Sequence, residues 1–280
     1  MSIKEIENYS YIRCLGNGTY GDVKLYRDTR TKQKVVIKTI KLLTNNLSIH
    51  DVAKEIMIMS KLDHPRVIRF LSCFEDSVGQ KLNIVMEYAS GGTLHGLIEQ
   101  QKAEGVFFEQ EVILRLFCEL LMGIDYLHMR HVIHCDLKPE NVLLDSSMRV
   151  KIGDFGISFV TSDPSKAVEA SYFGTPIYMA PEVYTMRSYS SLSDVWALGV
   201  ILYEMCTLKP PFGGTTIEQL TKDIHRGKFE PIPCKTLGYD MNFQVIVKLM
   251  IQPKLKDRCS LSGIIAHPFI TKSFYETIFS

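Results

Sequence analysis

The chain has 280 residues, 46% of them hydrophobic, and its 32 Lys and Arg nearly balance 31 Asp and Glu, for a formal net charge of +1. That length fits one large domain or two modest lobes. The apolar share supports a sizeable core and excludes a disordered chain. Near-neutrality argues against nucleic acid as the main partner, because proteins of that kind carry a strongly basic face.

Seven cysteines are scattered (Cys14, Cys73, Cys118, Cys135, Cys206, Cys234 and Cys259) with no CxxC pair. An odd, dispersed set reads as reduced thiols of a cytoplasmic protein, neither a disulfide framework nor a zinc site. The start, Met1-Ser2-Ile3-Lys4-Glu5-Ile6-Glu7, is charged and has no apolar core, so no signal peptide is expected. The strongest apolar run, residues 195–205, is roughly half of the ~20 residues a membrane span needs and contains Glu204, so no membrane partner is expected.

In chain order, residues 9–15, 22–26 and 34–40 show strand periodicity. Leu15-Gly16-Asn17-Gly18-Thr19-Tyr20-Gly21-Asp22-Val23 joins the first two. A dinucleotide-binding GxGxxG needs a helix after the glycines. Here Val23, Leu25 and Tyr26 continue as a strand, so a hairpin lid fits better. Glycines there let the backbone approach phosphate oxygens closely, although an ordinary Gly-rich hairpin turn fits the loop equally well when taken alone. Lys38, in Val35-Val36-Ile37-Lys38, lies on the next strand. It is placed to reach phosphates beneath such a lid, although taken alone the favoured reading is a solvated strand lysine.

Residues 49–61 read as a helix, with Ser48 or Asp51 available as a cap, and Glu55 lies within it. Residues 81–87 read as a strand. Gly91-Gly92 follows, and the pattern then turns helical. In residues 109–129, Ile113, Leu116, Phe117, Leu120, Ile124 and Leu127 form one stripe on a helix whose other faces are also apolar, which predicts deep burial. Residues 194–206 are apolar nearly all round and predict a second buried helix.

Between these helices lies Val132-Ile133-His134-Cys135-Asp136-Leu137-Lys138-Pro139-Glu140-Asn141-Val142-Leu143-Leu144, and then Lys151-Ile152-Gly153-Asp154-Phe155-Gly156. An acid to orient a hydroxyl, an amine to neutralise phosphate, and an amide plus a carboxylate to hold a hard cation make up the set phosphoryl transfer needs. Residues 160–170 look irregular. Gly174-Thr175-Pro176-Ile177-Tyr178-Met179-Ala180-Pro181-Glu182 follows them.

On these motifs, in this order, the chain resembles a eukaryotic protein kinase of the serine/threonine type nearly end to end. The resemblance implies an α+β, bilobal protein-kinase-like fold. A small β-rich N-lobe with one main helix would cover residues about 1–88, a hinge 87–91, and a larger α-helical C-lobe about 92–280. ATP and Mg²⁺ are the implied cofactors, and proteins with Ser or Thr acceptors the implied substrates. By the same resemblance Asp136 orients the acceptor hydroxyl, Lys138 lies near the transferred group, Lys38 pairs with Glu55, and Asn141 and Asp154 hold the metal. Gly16, Asn17, Gly18, Thr19, Tyr20 and Gly21 would cover the phosphates. Leu15, Val23, Val36 and Leu143 would sandwich the adenine, with Met86 at the back and backbone groups of Glu87 and Ala89 at its edge. Glu182 would pair with Arg258, and Asp194 would take backbone N–H groups of the catalytic loop.

Two residues depart from the family pattern. Cys135 stands where the family usually has the arginine that receives an activation-segment phosphate, which puts phosphate-driven ordering in doubt. Val36 stands where Ala is usual and would tighten the adenine site. Ser171 and Thr175 are the candidate regulatory positions in the segment 154–182, and Ser171 reads equally as a plain loop serine. Ala53-Lys54-Glu55-Ile56 and the Gly-Thr-Pro-x-Tyr-Met run resemble the NIMA-related group. The rival readings are a pseudokinase scaffold and a nucleotide-sensing module. Retention of Lys38, Asp136, Asn141 and Asp154 together argues against the first, and the second would need ATP affinity without turnover.

Overall fold

The computed structural model describes residues 6–18, 21–41, 49–76, 80–169, 174–214 and 216–279. The chain divides into two compact units, Met1–Ser90 and Gly91–Ser280. Sheet dominates the first and helix the second, which is the α+β class expected from the sequence.

The first unit is a five-stranded antiparallel sheet in the order β1-β2-β3-β5-β4, with one helix. Its strands are β1 (Tyr9–Gly18), β2 (Gly21–Asp28), β3 (Lys34–Lys41), β4 (Phe70–Glu75) and β5 (Lys81–Glu87), and its helix is α1 (Ile49–Met59). Residues on a strand alternate between faces. Val35 and Ile37 therefore share one face, where they meet Phe74 and Val85, and Tyr9 and Tyr26 pack against that cluster. Lys38 falls on the other face with Val36 and Ile40. On α1, Val52, Glu55 and Ile58 recur at three-residue spacing, and all three are buried. That stripe carries Glu55 to Lys38.

Sequence periodicity did not mark β4. Ser72, Cys73 and Glu75 interrupt its apolar alternation, and as an edge strand it pairs with β5 alone. The caps considered for α1 lie outside what is described, Ser48 entirely and Asp51 in its side chain.

The second unit contains β6 (Gly92–Thr93), α2 (Leu94–Glu104), α3 (Gln110–Met129), β7 (Val132–Ile133), β8 (Val142–Leu144), β9 (Val150–Ile152), β10 (Phe159–Val160), β11 (Val168–Glu169), α4 (Pro181–Met186) and β12 (Ser188–Tyr189). It continues through α5 (Ser191–Thr207), α6 (Ile217–Arg226), α7 (Cys234–Leu237), α8 (Asn242–Met250), α9 (Leu261–Ile265) and α10 (Pro268–Phe279). All six stripe residues of α3 are at most 1% exposed, and α5 is buried from Ser193 to Thr207. α5 starts three residues before its apolar run because Ser190 and Ser193 form a capping box. Where α5 meets α8, a Cβ on Gly199 would lie 2.8 Å from Met250 Cβ. Close helix approach therefore needs glycine at that position.

The stretch expected to be irregular is pinned by two-residue ladders, β10 on β7 and β11 on β12. Ser191 N also donates to Pro164 O at 2.8 Å. Among the described residues no helix is long and apolar enough to cross a membrane.

Candidate active site

The loop after β7 is fixed from below by one carboxylate. Asp194, 1% exposed in the first turn of α5, accepts the backbone N–H of His134 (3.0 Å) and of Cys135 (3.0 Å). It also accepts the ring N–H of His128 at 2.8 Å. Burial alone would raise the Asp194 carboxyl, but the His128 hydrogen bond, the neighbouring imidazoles and the backbone N–H of His134 outweigh it and hold the carboxyl below its usual range. These bonds help hold Cys135 at φ 71°, a left-handed conformation that costs a non-glycine residue about 1–3 kcal/mol. His134 is fully buried. Its Nδ1 accepts from Asp136 N (3.3 Å), so its Nε2 carries the proton donated to Gly153 O (3.1 Å).

Because the lowered carboxyl is ionised in the folded state, its stabilisation is present above the unfolded carboxyl's pKa, near pH 4, and is lost as pH falls through the folded value. Asp194→Asn is expected to melt below wild type at pH 7, with the gap narrowing below about pH 4. Thermal melts at stepped pH check this, and a gap constant down to pH 3 would contradict it.

Four side chains converge above that platform. Lys138 Nζ lies 2.8 Å from Asp136 Oδ2 and 2.8 Å from Thr175 Oγ1. Thr175 N donates to Asp136 Oδ1 at 3.1 Å, and Asn141 Nδ2 donates to Asp136 Oδ2 at 3.0 Å. The threonine reaches this position because Gly174 has φ 109°. A Cβ there would sit 3.3 Å from Cys135 O and 3.6 Å from Asp136 Oδ1. Asp136 is thus a half-buried carboxylate with donors on both oxygens, a geometry that holds it in one rotamer.

The second acid is set beside this cluster by the β8–β9 hairpin. Val142 pairs with Ile152, and Gly153 N donates to Asn141 O at 3.0 Å. Asp154 follows at φ 61° with an exposed side chain. The next residue, Phe155, is buried with its ring 5.4 Å from that of His134. Ser158 Oγ donates to His134 O at 3.0 Å, so the turn and the loop are bonded to each other on both sides. No group of three or more His, Cys, Asp or Glu suited to a metal occurs among the described residues. The local donors are one amide and one carboxylate. That set fits a hard cation which keeps several waters and completes its shell with substrate phosphates.

In the first unit, Lys38 Nζ meets Glu55 Oε1 at 2.7 Å, both side chains nearly buried. Val36 is buried and sits in register between Leu25 and Met86. Leu15 is exposed, and Val23 half-buried. The Glu87 N–H donates to Arg69 O at 3.0 Å. Leu143 lies on β8 in the second unit. Thr19, Tyr20 and Ser171 lie outside the described residues.

An ion pair and a buried hydrogen bond further on hold the 174–182 segment. Arg258 bonds Glu182 through Nη1–Oε1 (2.7 Å) and Nη2–Oε2 (2.9 Å), the pairing expected from sequence. Tyr178 Oη donates to Glu204 at 2.8 Å, which the sequence did not reveal. Burial pushes the Glu204 carboxyl up against the opposing effect of that hydrogen bond. Burial, then the Glu204 charge, pushes the Tyr178 phenol up too. His128 was also missed. It ends the apolar stripe of α3, and only the contact with Asp194 distinguishes it from an ordinary helix-terminal histidine.

Comparison with known proteins agrees with this geometry. The family model described as "Protein kinase domain" matches residues 9–270. Serine/threonine-protein kinase Nek3 of Mus musculus is 35% identical over 93% of this chain and 49% of its own length. Serine/threonine-protein kinase Nek2 of Homo sapiens is 32% identical over 94% of this chain and 60% of its own length. Probable serine/threonine-protein kinase nek2 of Dictyostelium discoideum is 32% identical over 95% and 63%. The chain thus spans about half to two thirds of the length of these curated relatives.

Proposed function

We propose that this chain, which belongs to the protein kinase domain family, transfers the γ-phosphoryl group of ATP to serine or threonine hydroxyls of protein substrates. The observation that carries the reading is the Asp136 carboxylate, held by Lys138, Asn141 and the Thr175 N–H. In the transfer, the acceptor oxygen forms a bond to the γ-phosphorus while the bond to the β–γ bridging oxygen breaks. Asp136 orients the hydroxyl and takes its proton late, since the transition state is loose. Lys138 offsets the charge developing on the transferred group. Thr175 acts as a positioning residue through its contact with Lys138.

Asn141 and Asp154 would hold Mg²⁺, which when bound neutralises phosphate charge. Lys38, fixed by Glu55, would reach the phosphates under residues 16–21. Leu15, Val23, Val36, Met86, Ala89 and Leu143 would take the adenine. With the Glu87 N–H directed to Arg69, the Glu87 carbonyl is its backbone group for the base. Similarity to Nek kinases supports placement in the NIMA-related group. None of the seven cysteines forms a disulfide, which supports a reducing compartment such as the cytoplasm.

The test is a radiolabelled-ATP assay against a Ser/Thr peptide library, with mass spectrometry of the incubated chain. ATP-dependent labelling of Ser or Thr is expected. Nucleotide binding without label transfer would instead establish the scaffold reading. The same assay examines regulation through 154–182. With cysteine at 135 and no arginine to receive a phosphate, Ser171→Ala is expected to keep most of the turnover. The same substitution in a Cys135→Arg background should cost more. Complete loss in the single variant would contradict this.

A further inference from the structure

The second unit exposes large apolar side chains on two stretches outside the catalytic loop. Val106 (54% exposed) and Phe107 (41%) lie on the α2–α3 connection, and Met241 (54%) and Val245 (43%) lie at the start of α8. Two hydrogen bonds join these stretches, which are about 130 residues apart. Tyr239 Oη donates to Phe108 O at 2.5 Å, and Asp240 N donates to Gln110 Oε1 at 3.1 Å. Beneath them Phe108, Tyr239 and Phe243 are buried, with the Tyr239 and Phe243 rings 5.6 Å apart. Val245 N donates to Met241 O, so those two side chains stand one turn apart on one helix face. The surface is therefore fixed from below while four large apolar side chains face solvent.

The rim of this patch has a sign. Glu104, Glu109, Glu111 and Asp240 are all exposed and lie within four residues of Val106, Phe107 or Met241. Among the described residues, the carboxylates of Glu104, Glu111 and Asp240 accept only from amide groups, of Gln100, Gln110 and Asn242 respectively. On the same stretches, Lys102 is paired with Glu99, and Lys248 lies one turn beyond Val245. An apolar centre with an acidic rim fits a segment of opposite pattern. It disfavours a second copy of the same face, which would oppose like charges.

We propose that this surface docks a partner peptide segment carrying two or three aliphatic or aromatic residues flanked by Lys or Arg. None of Asp136, Lys138 and Asn141 belongs to this surface or its rim, so docking is expected to be independent of turnover.

The test uses the 280-residue chain and fluorescent 12-residue peptides with Leu, Ile, Phe or Met at two inner positions and Lys or Arg outside them. Anisotropy should find binders that weaken with salt and that lose about tenfold or more in affinity to Phe107→Ser or Met241→Ser. Both positions are exposed, so the variants are expected to fold and to keep basal phosphorylation. Asp136→Asn should bind the peptides as wild type does, which separates docking from the catalytic assignment. The proposal is overturned by absence of binders or by equal affinity for Glu-flanked peptides. It is also overturned by unchanged affinity in the serine variants, or by a wild-type dimer in sedimentation that Phe107→Ser dissociates.

Discussion

Asp136→Asn is expected to reduce phosphoryl transfer by roughly 10²–10⁴-fold, the range for loss of a positioned general base, without unfolding the chain. Asparagine keeps the volume, and its carbonyl oxygen can still accept from Thr175 N, which reaches Asp136 Oδ1 at 3.1 Å. The amide brings no charge, however. Lys138 loses the partner it holds at 2.8 Å and keeps only Thr175 Oγ1. If the amide nitrogen replaces Oδ2, it also faces the Asn141 amide, donor against donor. The loop itself hangs on Asp194 through the backbone of His134 and Cys135, and the substitution does not touch those bonds. Loss should therefore fall on kcat, with the melting temperature and the KM for ATP nearly unchanged. Single-turnover labelling with radiolabelled ATP, paired with thermal melts, separates these outcomes. Turnover within tenfold of wild type would end the assignment of Asp136 as the base.

Much of this chain is legible residue by residue because its signals are local. Period-2 and period-3.6 patterns located β1, β2, β3, β5, α1, α3 and α5, and two departures have an identifiable cause. The start of α5 was missed because capping by Ser190 and Ser193 is polar and precedes the apolar run. β4 was missed because Ser72 and Glu75 dilute its pattern.

The site divides in the same way. Asp136, Lys138, Asn141 and Asp154 stand close together in sequence, and their spacing carries the chemistry proposed for them. The contacts that orient them do not. His128–Asp194 and Tyr178–Glu204 join residues with no mutual spacing rule, each a buried polar pair whose partner is chosen by tertiary packing. Glu182–Arg258 was anticipated only through family resemblance, since nothing local in either residue names the other. Cys135 was visible as a departure from the family pattern. Its left-handed backbone, held by the bonds of His134 N and Cys135 N to Asp194, was not.

The second large effect concerns stability. Arg258 is fully buried at its side chain and Glu182 is 4% exposed, and the pair is bidentate. Arg258 also donates to Leu192 O and Gln252 O and lies 5.0 Å over the Trp196 ring, tying α4, the start of α5 and the stretch after α8 to one guanidinium. Arg258→Met leaves Glu182 buried with Ser193 Oγ still donating to it at 3.0 Å. An uncompensated buried carboxylate costs about 3–5 kcal/mol. At about 2–4 °C per kcal/mol for a chain of 150–250 residues, the melting temperature should fall by roughly 10 °C.

The pair's net worth is smaller than that loss, because desolvating two charges offsets most of their attraction. Glu182→Leu combined with Arg258→Met should therefore recover part of the stability, though not all, since the carbonyls of Leu192 and Gln252 still lose their donor. Thermal melts of the two single variants and the double variant measure the coupling. Strictly additive losses would show that the two side chains contribute separately and that the ion pair does not hold this segment.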